Sequence, residues 1–213
     1  MPLIKEENIN DTLVIGVWHS IESLSELEAD VLLLATDEIE LKKTRLHKRK
    51  IEKILTRVLA KSLLENHFHL PYQGIKKLES GKPVLIGTDL ELSVSHCEHY
   101  LTVLLSKKDK AGIDIQHVNE KIEKVAPRIF SDQELEQIGQ SKQFLARAWS
   151  AKEAMFKYYE KGKINFKRDL HLYHISDPDK FHGIFTCGGK EIAVNLGVIE
   201  FNKFYQLVYC IEK

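Results

Sequence analysis

"AWSAKEAMFK", Ala148–Lys157, lies within a run from about Ser141 to Glu160 whose periodicity predicts a long helix. At about 100° per residue, Phe144, Ala148, Ala151, Met155 and Tyr159 gather on one side, with Leu145, Trp149 and Phe156 beside them. Lys152 falls in the middle of that apolar arc, and Glu153 lies at its edge next to Trp149. A buried charge is costly unless it is paired or hydrogen-bonded. Either Lys152 snorkels out of this face, or with Glu153 it marks where the helix is charged and meets something.

The 213 residues suffice for one sizeable domain or two small ones with a real core. Apolar content of 43% and charged content of 29% fit a globular protein and argue against disorder. Formal net charge is zero, so no overall field draws the chain to nucleic acid or to acidic membranes. Cys97, Cys187 and Cys210 are odd in number and far apart, which suits neither a disulfide framework nor a CxxC metal site. "MPLIKEENIN" has no apolar run of the signal-peptide kind, and no segment has the length of a membrane span. A cytoplasmic protein with no membrane or nucleic-acid partner is expected.

No low-complexity or Pro/Gly-rich linker divides the sequence. "TLVIGVWHS" reads as a strand, followed by a helix over about Glu22 to Ala35 with "VLLLA" as its buried end. A second helix, about His47 to Glu65, carries Ile51, Ile54, Leu55, Val58, Leu59 and Leu63 at i, i+3, i+4, i+7 spacing. "SGKPV" is a turn and "LELSVSH" a strand. "YLTVLLS", the polar turn "KKDK" and "AGIDIQ" read as a β-hairpin. After a shorter helical region, "FSDQELEQI" and the long helix, which Gly162 stops, the last third is β-rich: "INFKRDLHLYHI", "GIFTC", a Gly188-Gly189 turn, "KEIAVNLGVIEF" and "FYQLVYCIEK". The reading is α+β, with two similar-sized halves, 1–109 and 110–213.

In "GIDIQ" strand alternation puts Gly112, Asp114 and Gln116 on one face and Ile113 and Ile115 on the other. The isoleucines belong to the core, so Asp114 faces solvent or a cleft, and Gly112 beside it lets something approach the backbone closely. Glu153 and Lys157 stand at i, i+4, the spacing of a surface ion pair. If Asp114 met Glu153 across a cleft, the two carboxylates would hold a hard cation such as Mg²⁺, with Lys152 and Lys157 placed for phosphate charge. The basic run "LKKTRLHKRKIEKILTR", Leu41 to Arg57, is a solvated helix face or a patch for an anion, and it lacks the interleaved aromatics of a single-strand binder. Lys82, Ser95 and His96 sit in turn-like contexts where donors could meet a phosphate. Neither "HCEH" nor "HLYH" matches HExxH, which disfavours zinc. "SDQE" is a capping box with Ser131 as N-cap, which gives Glu134 a structural role whatever else it does.

"GIDI" followed by "RIFSDQEL" and "WSAKEAMFK" resembles the Sfp-type 4′-phosphopantetheinyl transferases, whose signature is G-[IV]-D and then [FW]-[STC]-x-K-E-[AS]-x-x-K. "KRKIEKILTR", "GKPVL" and "LSVSH" extend the resemblance upstream in family order, so that it covers roughly Arg45 to Asp169. The resemblance implies two α+β halves related by pseudo-two-fold symmetry, with the active site between them. It implies transfer of the phosphopantetheine arm of coenzyme A to a serine of an apo acyl or peptidyl carrier protein, releasing adenosine 3′,5′-bisphosphate. Position by position, Asp114 and Glu153 would bind Mg²⁺ with the coenzyme A pyrophosphate, and Lys152 and Lys157 would contact the phosphate chain. Arg49, Arg57, Lys82, Ser95 and His96 would serve the nucleotide end and its 3′-phosphate. Glu153, or Glu134 through a water, would take the serine proton. Gln116 stands where many members have a third metal-binding carboxylate, and as a neutral amide it predicts weaker metal affinity.

Two other readings come from different classes. One is a non-catalytic coenzyme A or nucleotide-binding protein of the same fold, against which the joint presence of Asp114, Glu153 and Lys157 argues. The other is a metal-dependent nuclease, for which salt-dependent DNA binding is the discriminating observation. With both halves in one chain, a monomer is expected.

Overall fold

Ile54, Leu55, Leu59, Leu63 and Leu64 form the fully buried stripe of one long helix, α3 (His47–Phe68), whose spacing the sequence predicts. In the computed structural model all residues are described except 1–2, 32, 108–109, 120 and 160–163. The chain divides into two compact units, Met1–Asp109 and Lys110–Lys213, each of mixed α+β structure.

In the first unit, β1 (Leu3–Asn10), β2 (Leu13–His19), α1 (Leu24–Asp30) and α2 (Ala35–Lys42) precede α3. They are followed by β3 (Ile75–Lys77), β4 (Pro83–Leu85), β5 (Glu91–Cys97) and β6 (Tyr100–Ser106). The main sheet is antiparallel in the order β1-β2-β6-β5, and β3 and β4 form a separate two-stranded ribbon. Helix α3 packs on β2 and β6, where Leu59 and Leu63 fill the space left by Gly16, whose added Cβ would stand 2.7 Å from the Leu59 Cδ1. The predicted helix over Glu22 to Ala35 is shorter than expected. A capping box of Ser23 and Glu26 starts α1, but Val31 is already extended and Leu34 is the exposed N-cap of α2. Val31, Leu33 and Leu34 thus lie between two helices and not in a buried helix end, and Ala35 is the first residue of α2. β1 was not expected; it is an edge strand whose residues, mostly polar, alternate between exposed and half-buried from Ile4 onward.

The second unit contains β7 (Ala111–His117), α4 (Lys121–Ile129), α5 (Asp132–Ile138), α6 (Lys142–Tyr159) and α7 (Phe166–Asp169). It is completed by β8 (Leu170–Tyr173), β9 (His182–Cys187), β10 (Lys190–Ile199) and β11 (Tyr205–Glu212). Its sheet is antiparallel in the order β7-β11-β10-β9-β8, and α6 lies on β7 and β11. The expected hairpin of "YLTVLLS" and "AGIDIQ" does not form: β6 pairs with β2 and β5, whereas β7 pairs with β11. Both segments have the composition of strands, but composition does not choose a strand's neighbour. Part of the "KKDK" turn and the expected helix stop at Gly162 lie outside the described residues. The Gly188-Gly189 turn joins β9 to β10 with φ of 59° and 75°, where only glycine is unstrained.

Ala148, Ala151 and Ala154 are fully buried and give α6 a thin face with high helix propensity. That face rests on β7 at Gly112, where an added Cβ would stand 1.9 Å from the Ala154 carbonyl oxygen and 2.8 Å from the Tyr158 nitrogen. The close approach expected beside Asp114 is therefore made by the backbone of α6 itself.

Candidate functional site

Asp114 lies on the β7 face that meets α6, while Ile113 and Ile115 are buried on the other face. Three polar bonds fasten the helix to this strand. Ser150 Oγ donates to the Asp114 carbonyl oxygen at 2.7 Å. Lys157 Nζ donates to the Ile113 carbonyl oxygen at 2.8 Å and to Asp114 Oδ1 at 2.9 Å. Glu153, one turn before Lys157, is half-buried beside them. Its carboxyl is held above the ordinary glutamate range, first by burial and then by the charge of Asp114, with Lys157 pulling in the opposite direction. Two carboxylates that disfavour each other's charge, with one ammonium against them, form a site that gains from a further cation.

Among the described residues no group of three or more His, Cys, Asp or Glu side chains could hold a metal. A divalent ion here would have Asp114 and Glu153 as its protein carboxylates. That number suits Mg²⁺, which keeps water or phosphate oxygens for its remaining positions. Gln116 is on the same strand face, opposite Gln206 in the ladder, and its Nε2 donates to the His117 carbonyl at 3.2 Å. Its Oε1 is the atom left for a metal or for a bound water.

Lys152 and Glu134 are placed elsewhere, with their side chains turned to each other inside the unit. Lys152 is fully buried. Its three ammonium protons go to Glu134 Oε2 at 2.8 Å, the Phe166 carbonyl at 2.9 Å and the Ile129 carbonyl at 3.0 Å, which leaves none for a phosphate. Burial lowers its pKa and Glu134 opposes that shift. Glu134 is 2% exposed. Its Oε2 also accepts from the Ser131 N–H at 2.7 Å, and its Oε1 accepts from the Leu172 N–H at 2.9 Å. The capping box is present, and the pair ties α4, α5, α6 and α7 together. The lysine of the apolar arc thus has its partner inside the unit, while Lys157, one turn after Glu153, pairs with Asp114.

In the first unit, Arg49, Arg57 and His96 line a cleft of about 620 Å³ together with Lys43, Lys53, Lys77, Glu40 and Glu52. Arg49 Nη1 and His96 Nε2 lie 3.5 and 3.3 Å from Glu52 Oε2. Five lysine and arginine side chains stand against two glutamates. Burial lowers the pKa of Lys53, and the charges of Lys77, Arg57 and Arg49 push it the same way, while Glu40 pushes against them. An anion would relieve this crowding. Arg57 is largely committed: its Nε donates to buried Asp37 at 2.7 Å, and Asp37 also accepts from the Tyr72 hydroxyl at 3.0 Å. Lys82 is ion-paired with Glu91, Ser95 is buried on β5, and neither lines the cleft. Glu52, Lys53 and Lys77 were missed. For the first two a signal existed, because Arg49, Glu52, Lys53, Thr56 and Arg57 recur at three- and four-residue spacing on one face of α3.

Residues 110–210 match the family model of the 4′-phosphopantetheinyl transferase superfamily. The match spans nearly all of the second unit, including Asp114, Glu153 and Lys157, and the similarity is to the superfamily rather than to a type within it. No curated protein matches the chain.

Proposed function

We propose that this protein is a phosphopantetheinyl transferase of the Sfp type, which moves the 4′-phosphopantetheine arm of coenzyme A to a serine of an apo acyl or peptidyl carrier protein. The observation that carries this reading is the meeting of Asp114, Glu153 and Lys157 on the β7–α6 seam of the unit that matches the superfamily.

The reaction joins the serine Oγ to the phosphorus that bears the pantetheine arm. The bond from that phosphorus to the bridging anhydride oxygen breaks, adenosine 3′,5′-bisphosphate leaves, and the serine proton passes to a base. Asp114 and Glu153 would hold Mg²⁺, which would supply neutralising charge for the pyrophosphate. Lys157, already aimed at this point by the Ile113 carbonyl, brings a second positive charge to the transferred phosphate. Of the two glutamates considered as base, Glu134 has both oxygens occupied inside the unit, so Glu153 is the acceptor. The cationic cleft of the first unit suits a phosphate group by itself, with Arg49, Lys53 and His96 as its reachable donors and Arg57 as a fixed charge behind them. Lys152 has no contact with substrate in this scheme. A monomer acting in the cytoplasm is part of the same proposal.

Intact-mass spectrometry of an apo acyl carrier protein incubated with the protein, coenzyme A and Mg²⁺ tests it. A gain of one phosphopantetheine arm is expected, and the gain is lost with chelator or with Glu153→Ala. Coenzyme A binding with no gain on several unrelated carriers would establish a non-catalytic binding protein instead.

A further inference from the structure

Arg147 takes no part in the reaction above, yet α6 carries it into the interior. It is 8% exposed. Its Nε donates to Gln206 Oε1 at 3.1 Å and its Nη1 to the Ile175 carbonyl at 3.3 Å, both neutral acceptors. The guanidinium carbon lies 5.4 Å from the Phe144 ring centroid. Among the described residues, no carboxylate stands within ion-pair distance of Arg147 and its Nη2 donates to no protein acceptor. Burial lowers its pKa, and the charge of Glu200 is the influence that opposes this. A guanidinium stays charged in proteins, so the fold bears a desolvated cation with little compensation.

Arg147 also lines a pocket of about 430 Å³, shared with the connection between β10 and β11. Gln143, one turn earlier on α6, and Lys203 and Glu200 supply its polar rim, while Val198, Phe201 and Tyr205 supply apolar wall. Among the described residues the charged groups of the lining are Arg147 and Lys203, both positive, and Glu200, negative. One carboxylate balances these three charges, whereas a phosphate dianion would overcompensate. A planar carboxylate also matches the guanidinium edge, where two parallel N–H bonds can form.

We propose that this pocket binds a small monocarboxylic acid with an apolar body, its carboxylate on the Arg147 guanidinium and its body against Phe201 and Tyr205. Neither Asp114 nor Glu153 is among the described lining residues, and the proposal does not depend on the transfer reaction.

Benzoate is the probe, titrated into the full chain while amide resonances are followed by NMR. Saturable shifts at Gln143, Phe201 and Tyr205 are expected, with no such shifts from neutral benzamide. Arg147→Gln should weaken benzoate at least about tenfold, and Lys203→Gln, at an exposed position, about threefold. Circular dichroism checks that each variant is folded. Should Arg147→Gln fail to fold, Lys203→Gln and the benzamide comparison decide the matter. Absence of saturable shifts in the wild-type protein, equal binding of benzamide, unchanged affinity in Lys203→Gln, or equal competition by inorganic phosphate would each overturn the proposal.

Discussion

Lys152→Met distinguishes a phosphate-binding lysine from an internal one. Methionine keeps the length of the side chain and removes the ammonium, which leaves the Glu134 carboxylate without its cation and takes one donor from each of the Ile129 and Phe166 carbonyls. A charged hydrogen bond contributes roughly 1.5–3 kcal/mol, but relief of the lysine's own desolvation offsets part of the sum. Breaking a buried pair by deleting one partner costs about 3–5 kcal/mol net. For a chain of this size that corresponds to a fall in Tm of roughly 6–20 °C. Adding Glu134→Gln should recover part of the loss, because the unpaired charge disappears. The assay is urea or thermal unfolding followed by circular dichroism, with coenzyme A affinity measured by calorimetry on the folded variant. A melting temperature within about 1 °C of wild type, together with much weaker coenzyme A binding, would refute the internal assignment and return Lys152 to the phosphates.

Gly112→Ala should cost at least about 3 kcal/mol in urea unfolding, since the new Cβ meets helix backbone and not a side chain that can turn aside; a loss below about 1 kcal/mol would show that α6 can lift off the strand freely. Gln116→Glu adds a carboxylate beside Asp114 and should lower the Mg²⁺ concentration for half-maximal transfer by roughly tenfold, worth ~1.4 kcal/mol; an unchanged value would mean that position 116 does not reach the metal. Burial pushes the Tyr158 phenol up to about 12, helped by the charge of Glu212, and burial with Asp37 beside it raises Tyr72 still further. The folded state then keeps protons that the unfolded state releases from the ordinary value of 10.0 upward, so stability falls as pH rises through this range. Tyr158→Phe should flatten that fall in urea melts taken across the same range, and an unaltered slope would assign it to other groups.

The elements with their own periodicity were legible. Helix α3 starts at His47 as expected and ends at Phe68, and the 3.6-residue pattern of α6 marks Leu145, Ala148, Ala151 and Met155, which are buried, although Phe156 beside them is exposed. The Ser131–Glu134 cap was equally local and equally clear. The pairing of β7 was not legible, because alternation in "GIDIQ" says which face is buried but not whether β6 or β11 lies alongside. The same limit explains Lys152. Its position in the apolar arc demanded a partner, but Glu134 and the two carbonyls come from three other helices and have no spacing relation to it. The Arg57–Asp37 pair is a parallel case: a basic run reads as exposed or ligand-binding, and only the packing of α2 against β3 shows one of its arginines already occupied by an acid. Asp114, Glu153 and Lys157 could be singled out because strand alternation and helix spacing each fix a direction.

A single missing carbon at position 112 lets the backbone of α6 settle on β7, and it thereby sets the gap between a carboxylate on the strand and one on the helix. On the proposed reading that gap is a gauge of ionic radius. Oxygen ligands stand about 2.0–2.1 Å from Mg²⁺ and 2.3–2.6 Å from Ca²⁺, a difference far smaller than the displacement any side chain at 112 would impose. The choice of metal is then written in a residue that touches no metal, and a helix wedged outward there would favour the larger ion over the smaller.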